Sequence, residues 1–99
     1  MATASSTKEK VRTKLKVPKR YNVVMHNDDF TPMDFVVEIL IQLFNKGNDE
    51  AVLLMLTVHR RGKAVVGTYS FDIAQSKVNA AMFRAKEKGY PFRVTCEEA

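Results

Sequence analysis

The sequence predicts a small α+β domain of order β-α-α-β-α-β, a three-stranded antiparallel sheet packed against three helices. Three observations lead there. Runs rich in β-branched and aromatic residues at 21–25, 63–69 and 92–96 read as short strands. Apolar residues between them recur at helical spacing. Gly47, Gly62 and Gly89 stand where each helical pattern breaks off.

Residues 21–25, YNVVM, form the first strand, and the polar loop His26, Asn27, Asp28, Asp29, Phe30 follows. Thr31 is placed to cap a helix, Pro32 suits its first position, and Asp34 lies three residues after the cap. Met33, Val36, Val37, Leu40 and Phe44 carry this helix to about Asn45, with a stop at Gly47. Asn48 or Asp49 caps a second helix, whose stripe is Ala51, Leu54, Met55 and Val58 and which ends before Gly62. Residues 63–69, KAVVGTY, are the second strand. Ser70 caps a third helix with Asp72 in its first turn; Ile73, Val78, Ala81, Met82 and Ala85 form its apolar face, and Gly89 ends it. Pro91 leads into the last strand, 92–96.

Ninety-nine residues make one domain with one core. The longest apolar run, Ala51 to Leu56, is far short of the roughly 18 residues of a membrane span. The single cysteine, Cys96, excludes an internal disulfide framework and suits a reducing compartment. Charge is unevenly placed. Residues 1–20 hold seven of the 16 basic residues and one of the 11 acids, while 21–99 are close to neutral. The chain therefore divides into a disordered basic extension, 1–20, and a core domain, 21–99. A flexible coil of that length spans roughly 25 Å. It is read first as a solvated arm, with contact to nucleic acid, to acidic surfaces or to a protein partner as alternatives. Its composition also fits a plastid or mitochondrial transit peptide, but not a secretory signal, which needs an apolar centre.

The cluster His26-Asn27-Asp28-Asp29 is the most unusual local feature. It admits three readings: capping chemistry at a helix N-terminus, a metal site of no established spacing, or acceptors for an ammonium group. His59 shares a helix face with Met55 and Val58. Taken alone it is an ordinary core-edge histidine. No nucleophile arrangement and no phosphate-cradling glycine loop is present, so an enzyme is not expected. A hydrolase using a metal held by His26, Asp28, Asp29 and His59 is the enzymatic alternative.

Two motifs, NDDFTPMDFVV from Asn27 to Val37 and LMLTVH from Leu54 to His59, resemble those of the ClpS family. The resemblance continues through Gly62 to Gly67, Ala74, Lys77 and Gly89-Tyr90-Pro91, and spans most of 18–97. It implies an adaptor rather than an enzyme, without cofactor or metal. Such an adaptor binds the N-terminal residue of N-degron substrates, bulky Leu, Phe, Tyr or Trp. It delivers them to an AAA+ unfoldase, ClpA or ClpC, for degradation with ClpP. The implied setting is the bacterial cytoplasm, the implied state a free monomer with no nucleic acid or membrane partner, and the extension takes part in delivery. A small nucleic-acid-associated protein acting through its basic segment is the alternative.

Residue by residue, the resemblance implies that Asn27, Asp29 and His59, with Asp28 adjacent, bind the substrate α-amine. Thr31, Met33, Val36, Met55, Val58 and Phe92 match the pocket for its side chain. Phe92 departs from the leucine common in the family, and a larger ring there narrows the pocket. Asp72 and Lys77 match positions that contact the N-terminal domain of the unfoldase. An ammonium group has three donors and one charge, so it selects acceptors that are neutral or anionic. A few such bonds, with burial of a Leu or Phe side chain at about 1.5–3 kcal/mol, suit an affinity of order micromolar.

Overall fold

The computed structural model describes residues 18–99. The expected extension therefore lies outside the described residues, apart from Pro18, Lys19 and Arg20. These three follow the sheet closely. The Arg20 carbonyl accepts the Ala99 N–H at 2.9 Å, and the Arg20 guanidinium donates to the Thr68 carbonyl at 3.1 Å.

The element order is β1 (Tyr21–His26), α1 (Met33–Gln42), α2 (Asn48–Arg61), β2 (Lys63–Tyr69), α3 (Phe71–Lys88) and β3 (Arg93–Glu98). This is the expected order. β1 lies in the middle of the sheet, antiparallel to β2 on one side and β3 on the other. Strand alternation divides its side chains. Val23 and Met25 face the helices and belong to the core, with Ile39 and Leu40 of α1, Ala51 and Val58 of α2, and Ala74, Val78, Ala81 and Ala85 of α3. Val24, opposite Val65 and Thr95, faces the other way. That second face carries His26, Arg93 and Thr95, with His26 Nε2 2.8 Å from the Thr95 hydroxyl.

The register between β1 and β2 slips at Val23/Val24, where the bulged Val66 turns into the core. Beside it, Gly67 has no Cβ because the Tyr69 ring occupies the space, its hydroxyl 2.2 Å from where that atom would stand.

Helix ends differ from expectation in instructive ways. None of the expected side-chain caps forms: Pro32, Gly47 and Ser70 occupy the N-cap positions with no side-chain bond. α1 stops at Gln42, short of Gly47. Asn45 adopts the left-handed conformation (φ 55°), and the Lys46 N–H reaches back to the Leu40 carbonyl at 3.1 Å. Asparagine tolerates that conformation, so it ends the helix where glycine was expected. The terminus is sealed by Lys77 of α3, whose Nζ donates to the Leu43 carbonyl at 2.6 Å and sits 5.6 Å from the Phe44 ring centre and 5.3 Å from that of Tyr69. β3 starts one residue later than expected and runs on to Glu98, because the outer strand keeps pairing along the whole of β1.

Candidate functional site

β1 leaves the sheet at His26, and the next five residues make a fixed turn. The Asn27 N–H donates to the Gly62 carbonyl at 2.8 Å, tying the loop to the end of α2. Gly62 can hold that end because it is left-handed (φ 90°), a conformation that penalises a Cβ. Asp28 then organises the loop. Its Oδ1 accepts the N–H groups of Phe30 (2.8 Å) and Thr31 (2.7 Å), and its Oδ2 accepts the Thr31 hydroxyl at 2.8 Å. The Thr31 hydroxyl donates to this carboxylate, and the N-cap position of α1 falls one residue later, at Pro32. Burial works to raise the Asp28 pKa, but the bonds from Thr31 and Phe30 outweigh it and hold the carboxyl below its ordinary value.

With Asp28 committed, the other polar side chains at this corner are left open. Among the described residues, Asn27, Asp29 and His59 make no side-chain hydrogen bond, and all three are exposed. They bring a carbonyl oxygen, a carboxylate and an imidazole to one rim. His59 stands in the last turn of α2, where unpaired carbonyls and the negative end of the helix dipole favour a cation. The N-terminus of α1 acts in the opposite sense.

Below this rim lies a cavity of about 170 Å³. Its lining contains every residue expected at the site: Asn27, Asp28, Asp29, Thr31, Met33, Val36, Met55, Val58, His59 and Phe92. α1 supplies Met33 and Val36 one turn apart, and α2 supplies Met55, Val58 and His59 from one face. Val36, Val58 and Phe92 are buried walls, whereas Met33 is 45 % exposed at the mouth. Phe92 is held edge-on to Phe35, with ring centres 5.8 Å apart.

One further residue, His26, lines the cavity; the sequence had offered it in the loop cluster and as a candidate metal ligand, but not among the amine-binding or pocket residues. Burial, then the nearby charges of Arg93 and Lys63, lower its pKa, against a smaller opposing effect of Glu97. It therefore stands neutral beside the rim at pH 7. Among the described residues no three His, Cys, Asp or Glu side chains form a metal-binding group. Asp72 and Lys77 lie apart from this cavity, beside an open groove between α1 and α3 that also takes in Leu43 and Ile73. Asp72 is exposed, but the Lys77 ammonium is engaged by the end of α1.

Residues 16–95 match a family model described as ATP-dependent Clp protease adaptor protein ClpS. The chain is 51 % identical over 90 residues to an ATP-dependent Clp protease adapter protein ClpS of Vibrio atlanticus, covering 91 % of this chain and 85 % of the relative. It is 52 % identical over 81 residues to the adapter of the same description in Neisseria gonorrhoeae, covering 82 % and 78 %. Among solved structures it resembles Agrobacterium tumefaciens ClpS2 bound to L-phenylalaninamide. That likeness has a TM-score of 0.81 and 40 % identity, and covers 83 % of this chain and 99 % of that one.

Proposed function

The chain belongs to the ClpS family of Clp protease adaptors, which are not enzymes, and from that premise we propose that its cavity captures the N-terminal residue of N-degron substrates. The carrying observation is the rim of Asn27, Asp29 and His59, acceptors with no side-chain hydrogen bond among the described residues, standing over a cavity of single-residue size walled by Met33, Val36, Met55, Val58 and Phe92. The α-ammonium binds at the rim and a bulky apolar side chain of the Leu or Phe kind enters below. Only an N-terminal residue presents an ammonium group and a side chain on the same carbon, so the geometry selects chain ends over internal segments. L-phenylalaninamide, the ligand of the Agrobacterium protein, has that chemistry. A labelled peptide varied only at its first residue tests the reading. Leu and Phe should bind and Gly, Asp and Lys should not; equal binding of all five would refute it.

Met33 sets a second selectivity. It starts α1 at the mouth and is half exposed, so it is free to pack beside the Cβ of the bound residue. Ile and Val carry two substituents there and are stiff about χ1. Met33→Ala should raise the affinity for Ile- and Val-initiated peptides relative to Leu by roughly fivefold or more, the lower end of an overpacking penalty. Fluorescence anisotropy beside a thermal melt checks this, and an unchanged Leu-to-Ile ratio in a folded variant would remove the gatekeeper role.

Bound substrates are then handed to a ClpA or ClpC unfoldase for degradation with ClpP. The surface proposed for docking its N-terminal domain includes Asp72 and Lys77. Asp72 is the clean probe of this surface. Asp72→Ala should weaken unfoldase binding with peptide affinity and melting temperature unchanged, whereas Lys77→Ala should also lower the melting point by a few degrees because α1 loses its seal. Full unfoldase binding by the Asp72 variant would place the interface elsewhere.

A further inference from the structure

Two cavities meet at Phe92. One is the pocket described above, about 170 Å³. The other is an open groove of about 500 Å³, floored by Met82 and Phe83 of α3 and by Tyr90 and Pro91 of the following turn. The two linings share Phe92 and no other residue. Phe92 is therefore the partition between pocket and groove. It is a rigid one. Phe92 is 3 % exposed, its edge is fixed against Phe35, and Phe35 is itself braced edge-on by Tyr90 with ring centres 4.9 Å apart.

Size decides what such a partition does. An apolar protein cavity of about 150 Å³ holds one benzene ring. The pocket here is only slightly larger, and part of it lies at the rim among Asn27, Asp29 and His59. What remains suits a branched aliphatic or a single ring. An indole needs more depth, and the space it would need is the groove behind Phe92. We propose that Phe92 sets the upper size limit of the pocket, admitting Leu- and Phe-sized first residues and disfavouring Trp, and that the groove is a latent annex which removal of the ring would open. This rests on reading the cavity as the side-chain pocket.

The wild-type protein provides the first arm of the test, free of any folding concern. Peptides identical except for a first residue of Leu, Phe, naphthylalanine or Trp are titrated by fluorescence anisotropy. Leu and Phe should bind about tenfold or more tighter than the two bicyclic residues, the scale of a mismatch in an apolar pocket. Phe92→Leu and Phe92→Ala form the second arm, with thermal melts alongside. In folded variants the Phe-to-Trp ratio should fall about tenfold as Trp gains. Phe92→Ala combined with Met82→Trp, which refills the annex from the groove side, should restore it. Equal binding of Phe and Trp by the wild type overturns the proposal, as does an unmoved ratio in a folded Phe92 variant, while the amine-and-pocket reading survives either result. Absence of binding by every free-amine peptide instead overturns that reading, and this one with it.

Discussion

Acetylating the α-amine of a Leu- or Phe-initiated peptide is expected to weaken its binding by about 100-fold or more. The free ammonium offers three donors and a positive charge to Asn27, Asp29 and His59. The acetylated amide offers one donor and no charge, and its added carbonyl meets a carboxylate. Hydrogen bonds to charged groups contribute about 1.5–3 kcal/mol each. Losing two at the lower end of that range amounts to about 3 kcal/mol, or a hundredfold. The side chain is unchanged, so its burial cannot compensate. Anisotropy titrations of the free and acetylated peptides measure the ratio directly. A ratio within about threefold would mean that the rim does not hold the amine.

The second large effect concerns a residue that the sequence placed among the amine ligands and the structure gives another task. Asp28 accepts three hydrogen bonds within its own loop. Asp28→Ala leaves the N–H groups of Phe30 and Thr31 and the Thr31 hydroxyl without their acceptor. The turn that aims Asn27 and Asp29 should then loosen, and peptide affinity should fall about 10- to 100-fold. These bonds are partly exposed, so stability should suffer less, a few degrees of melting temperature. Asp28→Asn retains one acceptor and should fall between. Acidity gives an independent check. Because the folded Asp28 pKa lies below its ordinary value, its contribution is fully present above the unfolded pKa, about 3.9, and is lost as pH falls through the lower folded pKa. The amide shifts of Phe30 and Thr31 should therefore titrate below that ordinary range. If the Ala variant binds peptide like the wild type, the loop does not depend on Asp28.

The fold was legible because its signals are local. Strand runs and glycine stops fall within a few residues of the observed boundaries of β1, β2 and the ends of α2 and α3. Where the reading missed, a tertiary partner had intervened. Thr31 does not cap α1 because the helix begins one residue later, with Pro32 at the N-cap, while Asp28 holds Thr31 in the preceding turn. α1 ends at Gln42 and the chain turns at a left-handed Asn45 rather than at Gly47, and the seal comes from Lys77, 34 residues beyond the Leu43 carbonyl it binds. No spacing rule announces such a bond. The bulge that turns Val66 into the core is likewise invisible in KAVVGTY, whose continuous Ala64-Val65-Val66 run leaves no alternation for a slip to break.

The candidate site shows the same division. Two short motifs, 27–37 and 54–59, carried all of its residues but Phe92 on the strength of a family resemblance, and the fold gathers these and Phe92 around one cavity. What each side chain does there was less accessible. Asn27, Asp28 and Asp29 look alike as a polar run, yet one is spent on the loop and two are free. His26 lines the cavity because β1 runs one residue further than its apolar stretch. The groove behind Phe92 is built from α3 and the turn that directly follows it, but that it backs onto the pocket at Phe92 is visible only in the fold.

The central claim is that one cavity, open to the amine at its rim and to the side chain below, receives a single N-terminal residue. Titration of the isotopically labelled full chain with L-phenylalaninamide, followed by amide and methyl chemical shifts, tests it most directly. Saturable changes should centre on the amides of Asn27, Asp29, Thr31 and His59 and on the methyl groups of Met33, Val36, Met55 and Val58, and the N-acetylated compound should produce almost none. Changes centred on Asp72, Ile73 and Leu43, or equal changes with the acetylated compound, would contradict the account.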